Sequence, residues 1–91
     1  MANEQRTVRF SGNVQGVGFR YTTVRTAGGY DITGYVRNLP DGSVEVVAEG
    51  EGKEIDAFLA DLAGKMGGYI RDKSEQTAEA GGSFKSFDVR Y

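Results

Sequence analysis

The chain has 91 residues, 38% of them hydrophobic and 26% charged, with a formal net charge of −2; this is the composition of one small soluble domain and argues against a general nucleic-acid binder, which would carry a basic face. Histidine and cysteine are absent, which removes disulfides, thiolate chemistry, Ser–His and Cys–His triads and the commonest metal ligand. No run is long and apolar enough to span a bilayer, and the polar Met1–Gln5 carries no secretory signal, so a cytoplasmic monomer with no metal, cofactor, membrane or nucleic-acid partner is expected.

Arg6 to Ser11 alternates, with Val8 and Phe10 on one face and Thr7 and Arg9 on the other, as a half-buried strand does. Gly12-Asn13-Val14-Gln15-Gly16-Val17-Gly18-Phe19-Arg20 follows. Glycines let a backbone fold tightly and turn several N–H groups toward one point, which makes a nest for an anion. An adjoining helix start adds further free N–H groups and the positive end of the helix dipole. Arg20 brings a planar, permanently charged fork that suits two phosphate oxygens at once. Together these residues describe a small phosphate cradle. Neither of two familiar phosphate motifs fits: there is no Gly-Lys-Ser/Thr ending, and Tyr21 stands where a dinucleotide fingerprint needs a third glycine. Taken alone, the stretch also fits a plain glycine-rich turn, which is the commoner case.

From Phe19 or Arg20 to about Ala27 a first helix is expected, burying a stripe of Phe19, Val24 and Ala27 beside Tyr21 and Gly28. Thr22, Thr23 and Thr26 are poor helix formers. Asp31 is a candidate for a left-handed turn conformation. Ile32–Asn38 and Ser43–Glu49 read as strands. Between them, Leu39-Pro40-Asp41-Gly42 is a tight turn in which proline presets the first corner and glycine accepts positive φ, so the pair forms a hairpin. Val44, Val46 and Ala48 share one face of the second strand. In a second helix, about Lys53 to Met66, Ile55, Phe58, Leu59 and Leu62 fall at i, i+3, i+4 and i+7. Glu54 and Asp56 in its first turn and Lys65 near its end suit the dipole. Tyr69 to Ala78 is polar enough to be either a protected edge strand or a disordered segment. Ala80 to Ser83 is a loop, and Phe87, Val89 and Tyr91 alternate in a short last strand. The order β-α-β-β-α-β predicts a ferredoxin-like α+β sandwich, an antiparallel sheet with two helices on one face and a short extra C-terminal strand.

Two blocks resemble the acylphosphatase family. Gly12-x-Val14-Gln15-Gly16-Val17-Gly18-Phe19-Arg20 is similar to its first block, and Gly34-Tyr35-Val36-Arg37-Asn38-Leu39-Pro40-Asp41-Gly42-Ser43-Val44-Glu45-Val46, running on to Gly50, to its second. Phe84 to Tyr91 is similar to the family's last strand. The resemblance spans nearly the whole chain, residues 1–91, as one domain. It implies hydrolysis of the carboxyl–phosphate bond of an acyl phosphate, with a small-molecule substrate and with phosphate or sulfate as a site ligand. By this resemblance Arg20 binds the phosphoryl group, helped by the backbone N–H groups of Val14, Gln15, Gly16, Val17, Gly18 and Phe19. Asn38 orients the attacking water, and a phosphate oxygen of the substrate takes its proton. Such chemistry needs positioning and charge stabilisation more than a strong base, which agrees with a chain that has no histidine. Arg9, Arg25 and Arg37 are expected to be solvated or structural, and Glu45 and Glu49 form no acid–base pair.

Two other readings compete. The same domain opens a large hydrogenase-maturation carbamoyltransferase, but there proline usually follows the arginine, where this chain has Tyr21, so a free-standing enzyme is expected. An RNA-recognition module on this fold would carry exposed aromatics on a central strand, and Ser43–Glu49 has none.

Overall fold

A computed structural model describes residues Asn3–Tyr91. The elements in chain order are β1 (Glu4–Gly12), α1 (Phe19–Ala27), β2 (Thr33–Asn38), β3 (Val44–Gly50), α2 (Gly52–Met66), a 3-10 turn (Gly67–Tyr69), β4 (Ile70–Glu79) and β5 (Phe87–Val89). The sheet order is β4-β1-β3-β2-β5. The first four strands pair antiparallel, as the βαββαβ order requires. The extra strand β5 joins β2 in parallel, pairing Gly34 with Phe87 and Val36 with Val89, which makes the whole sheet mixed. The parallel direction follows from the path of the chain. Residues 80–86 cross from the β4 edge to the opposite edge before β5 begins, so β5 enters beside β2 running the same way.

One face of the sheet and both helices enclose the core. Val8 and Phe10 of β1, Val36 of β2, and Val44, Val46 and Ala48 of β3 are buried on it, the period-2 faces expected of half-buried strands. Ile55, Phe58, Leu59, Leu62 and Met66 form the buried stripe of α2. Aromatic pairs knit the layers: Phe10 meets Phe19 at 5.3 Å between ring centroids, and Phe58 meets Phe87 at 5.6 Å. Tilted contacts of this kind add to plain area burial.

The stripe on α1 differs from the expected one. Phe19 and Ala27 are buried, but Thr23 and Thr26 accompany them, while Val24 is half-buried and Tyr21 is 64% exposed. The hydroxyls explain this placement. Thr23 Oγ1 donates to Phe19 O at 2.7 Å and Thr26 Oγ1 donates to Thr22 O at 2.7 Å. Bonding back one turn satisfies each polar atom inside the helix, so the threonine methyls can enter the core. A second correction concerns Asp31. Among the described residues no non-glycine residue has positive φ, and the chain reverses there with the Asp31 N–H donating to Glu54 Oε1 at 2.9 Å.

The polar segment at the sheet edge is an ordered strand. β4 pairs with β1 from Glu4↔Glu79 to Gly12↔Ile70, with a register shift at Ser11/Gly12. Every residue from Arg71 to Glu79 is exposed. Charged and polar side chains on an exposed edge discourage pairing with another chain.

The opposite face of the sheet is partly covered. Val47 and Glu49 point away from the helices and are both nearly inaccessible, and residues 80–86 pass over Glu49. The Glu49 carboxylate accepts from Gly81 N–H and Gly82 N–H, each at 3.1 Å, and from Gln5 Nε2 at 2.7 Å. Further along, Phe84 sits edge-on to Tyr35 at 5.7 Å, and the Arg90 guanidinium lies 3.8 Å from the Tyr35 ring centre. These contacts bring the chain end round to the β2 edge, and so to the site.

Candidate active site

At the end of the sheet where β1 runs into α1, a cavity of about 380 Å3 opens. The loop between β1 and α1 contributes Val14, Gly16 and Gly18 to its walls, and α1 contributes Phe19, Arg20, Tyr21 and Val24. Asn38, the last residue of β2, stands across from them, and Asp88, Val89 and Tyr91 close the side formed by the chain end.

The loop is fixed from within. Val14 is fully buried and Phe19 is 2% exposed, so both of its ends are set in the core. Between them Gly16 and Gly18 have φ of 77° and 79°. These are left-handed conformations that cost glycine nothing and a side chain about 1 kcal/mol or more. Gly18 is also the residue before the first turn of α1, and its carbonyl accepts from Thr22 N–H at 3.0 Å. The backbone thereby curls into the helix start. Among the described residues, no protein acceptor takes the N–H groups of Val14 to Gly18. Unclaimed amides leading into a helix N-terminus form an anion-seeking surface.

Arg20 is half-buried at the cavity wall. Among the described residues it has no carboxylate partner; the side chain it touches is Tyr91, whose ring centre lies 5.3 Å from the guanidinium carbon. The other arginines flagged in the sequence are occupied or exposed. Arg37 Nε donates to Glu45 at 2.8 Å, Arg25 donates to the Tyr21 hydroxyl at 2.9 Å, and Arg9 lies on the surface. Asn38 is positioned by β2, where alternation puts Gly34, Val36 and Asn38 on the helix-facing side. Its carboxamide makes no hydrogen bond among the described residues. A cation without a counterion and an amide without a partner thus line the same space.

The turn after Asn38 is tight. Gly42 N–H donates to Leu39 O at 3.1 Å and Leu39 N–H to Ser43 O at 2.9 Å. The Asp41 carboxylate accepts from Ser43 Oγ and from Ser43 N–H at 2.9 Å. Those bonds, the hydroxyl's first, hold the Asp41 carboxyl below its usual range.

Of the residues named from the sequence, Val14, Gly16, Gly18, Phe19, Arg20 and Asn38 meet at the cavity. Gln15 and Val17 do not line it. The Gln15 side chain turns instead toward the β2–β3 turn, and Val17 packs on the core. Sequence reasoning missed Tyr21, Val24, Asp88, Val89 and Tyr91. The available signal was the alternation of Phe87, Val89 and Tyr91, which puts the last two on the helix side once β5 is known to lie beside β2. Among the described residues no group of three or more His, Cys, Asp and Glu is placed to hold a metal ion, and no helix is long and apolar enough to cross a membrane.

Comparison with known proteins agrees with this geometry. The acylphosphatase family profile matches residues 6–89. The chain belongs to the acylphosphatase family. It is therefore a hydrolase of acyl phosphates. It is 42% identical over 85 residues to an acylphosphatase of Syntrophotalea carbinolica, covering 92% of each chain. It resembles the crystal structure of acylphosphatase from Bacillus subtilis with a TM-score of 0.86 and 28% identity, over 97% of this chain and 99% of that one. The structure of T. kodakarensis HypF is also similar, with a TM-score of 0.83 and 31% identity; 97% of this chain is covered, but 12% of that one.

Proposed function

We propose that this cavity is where the acyl phosphate is cleaved, with Arg20 and the amides of Val14 to Phe19 holding the phosphoryl group and Asn38 steering the water. The observation that carries this reading is the unpaired Arg20 guanidinium facing the same cavity as the unbonded Asn38 amide, beside a run of unclaimed N–H groups. In a chain of net charge −2, a half-buried cation that forms no ion pair among the described residues suits an anionic ligand. Inorganic phosphate and sulfate are the simplest ligands that would occupy it.

The reaction asks for little beyond placement. Water attacks phosphorus, the bond from phosphorus to the carboxyl oxygen breaks, and the acyl group leaves as a stable carboxylate. The water's proton passes to a phosphoryl oxygen, so no protein base takes part. Charge spread over the phosphoryl oxygens in the transition state is met by the guanidinium fork and the fixed amides, which need no reorganisation at the moment of reaction. Asn38 accepts from the water through its carbonyl and holds it in line. The apolar wall of Val24, Val89 and Tyr91 is left for the acyl portion. The enzyme acts as a cytoplasmic monomer on this reading, and residues 1–91 form the acylphosphatase domain.

Phosphate release from benzoyl phosphate tests the assignment. Arg20→Ala and Asn38→Ala should each lower kcat/KM by about 10²–10³-fold or more, the range seen when one charge-stabilising donor is removed. Equal rates in the parent and both variants would remove the assignment.

A further inference from the structure

The Gln15 side chain does not face the cavity, yet it makes the most specific contact between the two halves of the site. Its Nε2 donates to Leu39 O at 2.9 Å and to Ser43 O at 2.9 Å. A primary amide has two N–H donors on that nitrogen, and here both are used. The two acceptors are the carbonyls that flank the neck of the turn following Asn38. Each already accepts one backbone N–H, Leu39 O from Gly42 and Ser43 O from Leu39. Gln15 takes up the second lone pair of each, completing their bonding. Among the described residues no other side chain of the cradle loop bonds to this turn.

The consequence lies in the connectivity. Gln15 stands between Val14 and Gly16, both in the cavity wall, and Leu39 directly follows Asn38. One amide nitrogen therefore ties the anion-binding loop to the element that carries the water-orienting residue. The loop and the turn are 24 and 28 residues apart at these contacts, and no shared strand pairing joins them. β2 fixes Asn38 only up to the strand end, where it pairs with Val44. Small displacements at a reacting centre are costly in rate, because catalysis by positioning depends on the near-attack geometry.

We infer that Gln15 is a positioning residue: its double hydrogen bond sets the distance between the phosphoryl cradle and Asn38. The inference rests on the proposed roles of Arg20 and Asn38. It predicts a division of labour. Removing the clamp leaves the cradle's own grip on an anion, made by Arg20 and backbone amides, and degrades the alignment of water against phosphorus.

The test uses Gln15→Met, which keeps length and volume but has no donor. With benzoyl phosphate as substrate, kcat should fall about tenfold, a modest loss of alignment, while the inhibition constant of inorganic phosphate stays within about twofold. Gln15→Asn keeps the amide but is one methylene short; it should show the same division with a smaller loss, and it carries the test if the methionine variant does not fold. The decisive comparison is made in the Asn38→Ala background. There the Gln15 substitution should cost less than about twofold further, because residues that act through one another are not additive. A full tenfold cost in that background would overturn the inference, and so would weakened phosphate inhibition with unchanged kcat. Failure of the underlying reading looks different: Asn38→Ala would then retain the parental kcat whatever is done at position 15.

Discussion

The cavity end and the β4 edge are built from the same short chain on opposite terms. At the cavity, backbone in special conformations is held by side chains sunk in the core: Val14 and Phe19 are buried on either side of Gly16 and Gly18. At the edge, β4 has one half-buried residue, Ile70, and nine exposed ones. It is held by its ladder to β1 and by the Asn13 N–H to Tyr69 O bond of 2.9 Å at its start. A loop whose N–H groups are left unclaimed cannot use those groups to hold itself, so its order comes from packing and from the two bonds of the Gln15 side chain. An edge strand whose backbone is paired can leave its side chains to solvent. On the proposed reading, the cavity is thus the place where hydrophobic burial is converted into electrostatic preorganisation.

Two truncations break this comparison if it is wrong. Phe19→Ala removes a buried ring that packs tilted against Phe10 at 5.3 Å and immediately precedes Arg20. It should cost about 3–5 kcal/mol in stability and should weaken activity in the fraction that stays folded, read by urea denaturation and benzoyl phosphate turnover. Gln76→Ala on β4, an exposed position opposite Thr7, should change stability by less than about 0.5 kcal/mol and leave kcat/KM alone. Comparable losses at both positions would mean that the edge supports the site as much as the core does.

A smaller effect sharpens the account of the turn beside Asn38. The Asp41 carboxyl is held below its usual range by the Ser43 hydroxyl and amide. A folded-state value below the unfolded one contributes stability above the ordinary aspartate range, and that contribution is lost as pH falls through the folded value. Asp41→Asn should therefore lower Tm at pH 7 by about 1–3 °C. The gap to the parent should close as pH drops well below about 3.9, the ordinary aspartate value. A gap that stays constant with pH would show that the carboxylate charge is not what the turn uses.

Much of this was legible in the residues. The Leu39–Gly42 turn, the i, i+3, i+4, i+7 stripe of α2 and the β-α-β-β-α-β order follow from local pattern, and local pattern is what sets them. The glycine loop with Arg20, and Asn38 before Leu39-Pro40, pointed to the cavity that the fold assembles. The remainder depends on contacts between distant parts of the chain. Thr23 and Thr26 read as weak helix formers because the bonds that let them be buried exist only once the helix does. The sequence reading assigned one face of β3 and left Glu49 without a partner, because that carboxylate is met by residues more than thirty positions later. Gln15 was read only for its backbone N–H, and the partners of its side chain, Leu39 and Ser43, become visible only when the hairpin folds back. Tyr91 reaches Arg20 for the same reason, because β5 docks beside β2.

The most direct measurement is a crystal structure of the enzyme soaked in phosphate or sulfate. The account predicts one anion in the cavity, bonded to the Arg20 guanidinium and to the amides of the Val14–Phe19 loop, with the Asn38 carboxamide within reach of a water at its far side. An anion bound elsewhere, with Arg20 turned to solvent and the loop amides vacant, would contradict it.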